Sequence, residues 1–283
     1  MFDGSAAIDV EVLGPTDEEE PSLAVVGGIH GDEPAGVRAI RQVLEEPPDL
    51  QRPVKLVLAN PPATAAHRRY LDTDMNRSFP GSTDADAREE RLAAELASEL
   101  ADCTTLSIHT THSHDEPIAL VDRDNPRAQE VADALPVEHV VDEQQAADGA
   151  FTGCEGVVSV EAGRQLSENA TENAVSLVRA FLQLTDARPG EPDTVDSSFY
   201  SLREAVEKPV DGEAAELVVD NFEQVEGGET YARADGTELV TEEPFVPILM
   251  SECGYDDIFG YRGEHVGDDL ESARETWGVS VEA

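Results

Sequence analysis

SLAVVGGIHGDEPAGVRAIRQVL, residues 22–44, holds an apolar run, a glycine-rich turn and an amphipathic segment in succession. SLAVV reads as a buried strand and EPAGVRAIRQVL as a helix with one apolar face. Glycines 27, 28 and 31 allow the chain to turn tightly where the strand ends. The same alternation continues outward. VKLVLA reads as a strand, and AREERLAAELASEL as a helix with Leu92, Leu96 and Leu100 on one face. TTLSIH, PIALV, EHVV and VVSVEA follow as strands, and SENATENAVSLVRAFLQL as a helix with Ser167 as its N-cap. Such an order predicts an α/β fold: a mixed, mostly parallel sheet flanked by helices on both faces. In such folds the ligand-bearing loops lie at the carboxyl ends of the strands.

After Leu184 the pattern breaks. TDARPGEPDTVDS is rich in Pro, Gly and Asp and reads as a linker. Beyond it, ELVVDNF, TYARA, TELVTE and FVPILMS read as strands, with an Asp235-Gly236 turn closing a hairpin. The expected division is a catalytic domain over 1–188 and a smaller, mostly β domain over 189–283.

Of 283 residues, 40% are hydrophobic, enough for a sizeable core. The charge is extreme: 61 acidic against 19 basic residues, a net −42. That excludes nucleic acid and anionic membranes as natural partners. No apolar run reaches the roughly 18–20 residues of a membrane helix, and MFDGSAAIDV lacks the regions of a signal peptide, so a soluble, cytoplasmic protein is expected. Self-repulsion at this charge is quenched only near 1 M salt, where the Debye length falls to about 3 Å. Lys55 and Lys208 are the only lysines, a usage that resembles proteins of halophilic archaea. Cys103, Cys154 and Cys253 form no CxxC pair and read as small buried side chains without function. The sequence leaves the oligomeric state open and is compatible with a homo-oligomer.

Three constellations carry chemistry. His30 and Glu33 stand three apart at the first strand-to-helix junction, so one turn can aim an imidazole and a carboxylate at one point. Both are good zinc ligands, and a catalytic zinc commonly takes three protein ligands. The third is expected at another strand end, where TTLSIHTTHSH offers His109. His112 and His114 are rivals in the polar loop beyond it. In HRRYLDTDMNRSFPG, residues 67–81, Arg68, Arg69 and Arg77 cluster against the composition and read as a clamp for an anionic substrate. The plainer alternative is ion pairing with Asp72, Asp74 and Glu89. In VVSVEAG, residues 157–163, Glu161 ends an otherwise uncharged strand, as a general base would.

HGDE at 30–33, RYLDTDMNR at 69–77, IHTT at 108–111, VEAG at 160–163 and SECGY at 251–255 resemble, in order, the aspartoacylase and succinylglutamate desuccinylase family, relatives of the zinc carboxypeptidases. The resemblance implies one Zn2+ per chain held by His30, Glu33 and His109, with Glu161 as catalytic base. It also implies Arg69 at the scissile carbonyl, Asn76 and Arg77 on the substrate carboxylate, and Tyr255 reaching the site from the carboxyl-terminal domain. The implied reaction is amide hydrolysis of a small anionic N-acyl amino acid. The alternatives are a metallocarboxypeptidase or other amidohydrolase acting on peptides, and a zinc-binding protein without catalysis. One departure stands out. Aspartoacylase has an arginine about ten positions before its catalytic glutamate, where this chain has Phe151 and Thr152; Arg164 is the nearest substitute.

Overall fold

The structure, a computed structural model, describes residues 7–16, 20–209, 215–234, 236–254 and 257–279. Among these, β1 (Asp9–Leu13), β2 (Leu23–Gly27), β3 (Val54–Leu58), β4 (Thr104–Thr111), β5 (Ile118–Val121), β6 (His139–Asp142) and β7 (Val157–Arg164) join one sheet with β8 (Ser198–Glu207), β12 (Val246–Ile248) and β13 (Ile258–Gly267). The order is β1-β3-β2-β4-β7-β5-β6-β8-β13-β12. Its heart is parallel, with β3, β2, β4 and β7 running side by side. β1, β5 against β7, and the β8-β13-β12 edge are antiparallel. The expected mixed, mostly parallel sheet is therefore observed.

Every residue of β2 is buried, as a central strand covered on both faces requires. Leu23 and Val25 point into a core built with α1 (Pro34–Glu45), α4 (Pro126–Ala134), α5 (Glu168–Leu184) and α6 (Leu270–Trp277). Ala24 and Val26 point the other way, toward Leu92 and Leu96 of α3 (Arg88–Glu99). α1 carries Pro34 in its first turn, where the absent N–H costs nothing, and buries Ala35, Val37, Ala39 and Ile40. α5 starts at the expected cap: Ser167 Oγ accepts from Ala170 N at 3.0 Å.

Three short helices fall where the sequence pattern suggested none. α2 (Pro61–Ala66) and α4 each begin with an asparagine cap followed by proline, Asn60-Pro61 and Asn125-Pro126; α6 is the third. At six to nine residues they are too brief to display a helical period. β8 and β13 were also unannounced, because their long pairing is interrupted by three register shifts that break strict alternation. The segment 185–197 carries no helix or strand, as its composition suggested. Beyond it, β9 (Glu216–Leu217), β10 (Thr230–Ala234) and β11 (Thr237–Val240) form a small antiparallel sheet. β8, β13 and β12 instead extend the large sheet, with β8 parallel to β6. No helix of the described residues is long and apolar enough to cross a membrane.

Candidate metal centre and its cavity

β2 delivers the chain to the turn Gly28–Glu33, and that turn exists because its glycines are needed. Gly28 has φ +72°, and a Cβ on Gly31 would stand 2.1 Å from the carbonyl carbon of Ala63. The close approach seats His30 and Glu33, 3% and 4% exposed, over the carboxyl edge of the sheet. His109 reaches the same point from the end of β4 and is equally buried. The three offer ligand atoms that all lie within 4.8 Å of one another. His112 and His114 do not join them. His112 lines the cavity above, and the His114 ring packs 5.3 Å from that of Phe222.

The donor set suits a divalent cation. In each histidine Nδ1 faces Glu33, at 2.7 Å for His30 and 3.2 Å for His109. The opposite nitrogen is held from behind, by Asp74 Oδ1 at 3.0 Å and by Ser107 Oγ at 3.3 Å. One nitrogen inward and the other fixed by a partner is the arrangement of metal-ligating histidines. Thr110 N donates to Glu33 Oε2 at 3.1 Å, orienting the carboxylate. Burial alone would push His30 down, but Glu33 and Asp74 outweigh it and hold the imidazole up at about 9. Burial would raise the Glu33 carboxyl, and the neighbouring imidazoles drive it well below its ordinary range instead. The cluster thus favours positive charge at its centre.

Glu161 adjoins it through strand register: β4 and β7 pair in parallel with His109 opposite Glu161. Its Oε2 is buried with no hydrogen-bond partner among the described residues, a costly state for a carboxylate. Burial, reinforced by the charge of Glu33, pushes the Glu161 carboxyl up to about 8.

The loop 67–81 closes one wall. Arg69, Asn76 and Arg77 line the cavity with the metal cluster and Glu161. Arg69 is ion-paired and lines the cavity as well. It faces the cavity, while Nε donates to Asp74 Oδ2 at 3.1 Å and Nη1 to Glu33 Oε1 at 3.3 Å. Asn76 Oδ1 accepts from Phe151 N at 2.9 Å. Arg68 stays at the surface. Glu89 is not an exposed counter-ion but a fully buried anchor, accepting from the backbone N–H of Leu71, Asp72 and Thr73. Arg164 does not face this cavity. It pairs with Asp115 at 2.7 Å and donates to the His112 carbonyl at 2.7 Å. Tyr255 lies outside the described residues. Cys103 is buried, as expected, whereas Cys253 is exposed.

Asp74, Ser107 and Glu143 were not singled out from sequence as site residues, and all three touch the site or line it. Ser107 was detectable, because it sits two residues before His109 on the same face of one strand. Asp74→Asn should weaken metal affinity by about 10–100-fold, since it loosens both His30 and Arg69. Competition against a chromophoric chelator measures this, and an unchanged affinity would remove Asp74 from the metal support.

The family model for the succinylglutamate desuccinylase/aspartoacylase catalytic domain matches residues 19–185, more than half of the chain. An N-acyl-aromatic-L-amino acid amidohydrolase (carboxylate-forming) of Rattus norvegicus is 49% identical over 83 residues, 26% of this chain and 26% of the rat protein. The chain thus matches about a quarter of that relative's length. A crystal structure of a succinylglutamate desuccinylase/aspartoacylase from Rhodobacter sphaeroides superposes with a TM-score of 0.70 at 22% identity, covering 87% of this chain and 86% of the other. Murine aminoacylase 3 gives a TM-score of 0.66 at 24% identity, covering 88% and 97%. These last two likenesses are likenesses of fold.

Proposed function

The chain belongs to the succinylglutamate desuccinylase/aspartoacylase family, and from that premise we propose that it is a zinc-dependent hydrolase of small N-acyl amino acids. The observation that carries the reading is the pairing of a buried His30–Glu33–His109 cluster with a carboxylate, Glu161, that adjoins it and has one oxygen without a partner. Zinc held by the three ligands would supply a Lewis acid and an acidified water.

The chain's own residues account for the rest. Glu161 takes the proton from the attacking water and returns it to the leaving nitrogen. A carboxyl raised by burial holds a proton near neutrality, and a metal held by the neighbouring ligands would favour its ionised, proton-accepting form. Arg69 faces the carbonyl oxygen as charge develops there, and its contacts with Asp74 and Glu33 keep the guanidinium in place. Asn76 and Arg77 hold the substrate's α-carboxylate, with Asn76 fixed by the Phe151 amide.

A net charge of −42 repels anions at a distance, but at about 1 M salt only contact charges act, so the assay belongs in molar KCl. Metal analysis of purified protein should find one zinc per chain, and a panel of N-acetyl amino acids should be hydrolysed in preference to dipeptides of matched side chain. Preference for the dipeptides would make it a peptidase. Bound zinc with no turnover of any amide would overturn the hydrolase reading.

A further inference from the structure

One acidic side chain of the cavity has no part in this mechanism. Glu143 lines the same space as the metal ligands, yet it is contributed by the residue after β6, on the far side of β7 and β5 from β4. Its backbone is tied on both sides: its N–H donates to Val121 O at 3.0 Å, and its carbonyl accepts from Ala146 N at 2.9 Å. The side chain is therefore held at a fixed place in the wall, and the residue is only 5% exposed.

Its carboxylate is poorly compensated. Among the described residues it accepts one hydrogen bond, 2.7 Å from Thr152 Oγ1, and it belongs to no ion pair. Thr152 is itself buried in the turn that Asn76 fixes through Phe151. A buried carboxylate with a single neutral donor is costly unless a cation reaches it. Burial pushes its carboxyl above the usual range, against the pull of Thr152 and of the Arg77 charge. Leu120, Leu202 and Leu249 line the same cavity, and a cavity that holds both aliphatic side chains and an acid suits a methylene stem that ends in an ammonium group.

We propose that Glu143 selects an N-acyl amino acid whose side chain carries a terminal ammonium group, the α-carboxylate remaining the anionic end of the substrate. This rests on the hydrolase reading above.

The test compares Nα-acetyl derivatives of lysine, ornithine, norleucine and glutamate at one fixed salt concentration. For the zinc-loaded enzyme, kcat/KM should favour the lysine or ornithine compound over norleucine by about 10–100-fold, the range of a hydrogen bond to a charged group. Glu143→Gln should collapse that ratio. Calorimetric binding of the same compounds to zinc-loaded Glu161→Gln protein reads the preference without turnover. If that binding favours the ammonium compounds while no compound is hydrolysed by the unaltered enzyme, the hydrolase reading fails and the assignment of Glu143 stands. If norleucine or glutamate is bound as well as lysine, the assignment fails, whatever the turnover.

Discussion

Glu161→Gln is expected to lower kcat by about 10²–10⁴-fold while the zinc content stays at that of the unaltered protein. The size is that of a positioned general base, and the substitution removes the proton acceptor without removing a ligand. Glutamine also keeps the volume of a side chain between Val160 and Ala162, both fully buried, so the strand has no cavity to collapse into. The two readouts must be taken together. A loss of both zinc and rate would make Glu161 part of the metal support, and full activity with zinc bound would remove it from the mechanism. His109→Ala should behave in the opposite way, losing metal first, because it withdraws one of the three proposed ligands. The contrast between the two variants separates the chemistry from the site that houses it.

The second large effect is on stability. Glu89→Ala should cost about 3–5 kcal/mol, because it leaves the N–H groups of Leu71, Asp72 and Thr73 and the Asn60 amide in a dry place without their acceptor. For a chain of this size that corresponds to a fall in Tm of roughly 10 °C. Glu89 is also in the first turn of α3, where a negative charge is favoured by the helix dipole, so alanine removes that contribution as well. The damage should not stay local. The segment anchored by Glu89 runs directly into Asp74 and begins just after Arg69, so metal affinity should fall with stability. Glu89→Gln keeps one carbonyl acceptor and should lose less. Urea unfolding at constant molar KCl measures both variants; a Glu89→Ala protein within about 0.5 kcal/mol of the unaltered one, an ordinary surface effect, would show that water replaces the carboxylate freely.

Much of this site is legible in the sequence. His30 and Glu33 could be paired because three residues span one turn, and the glycines around them announced a tight bend. Glu161 drew attention as the one charge in an apolar strand. The arginine loop was visible as a run against the composition, yet its division of labour was not. Arg68 at the surface, Arg69 between Asp74 and Glu33, and Glu89 as a buried anchor all have the same local signature of charges close in sequence. Burial separates them, and burial comes from what packs on the loop. Glu143 was illegible for the same reason, being one acid among 61.

The sequence alone determined the class of fold and the pairing of His30 with Glu33, because both depend on periods and spacings of a few residues, which backbone geometry converts directly into shape. Tertiary structure decided that His109 rather than His112 or His114 meets them, that Glu161 stands opposite His109, and that Asp74, 44 residues from His30, holds that ring. Those distances follow from strand order and register. β4 lies between β2 and β7 only because the crossovers between them pack as they do, and no local pattern records which distant strand will be the neighbour.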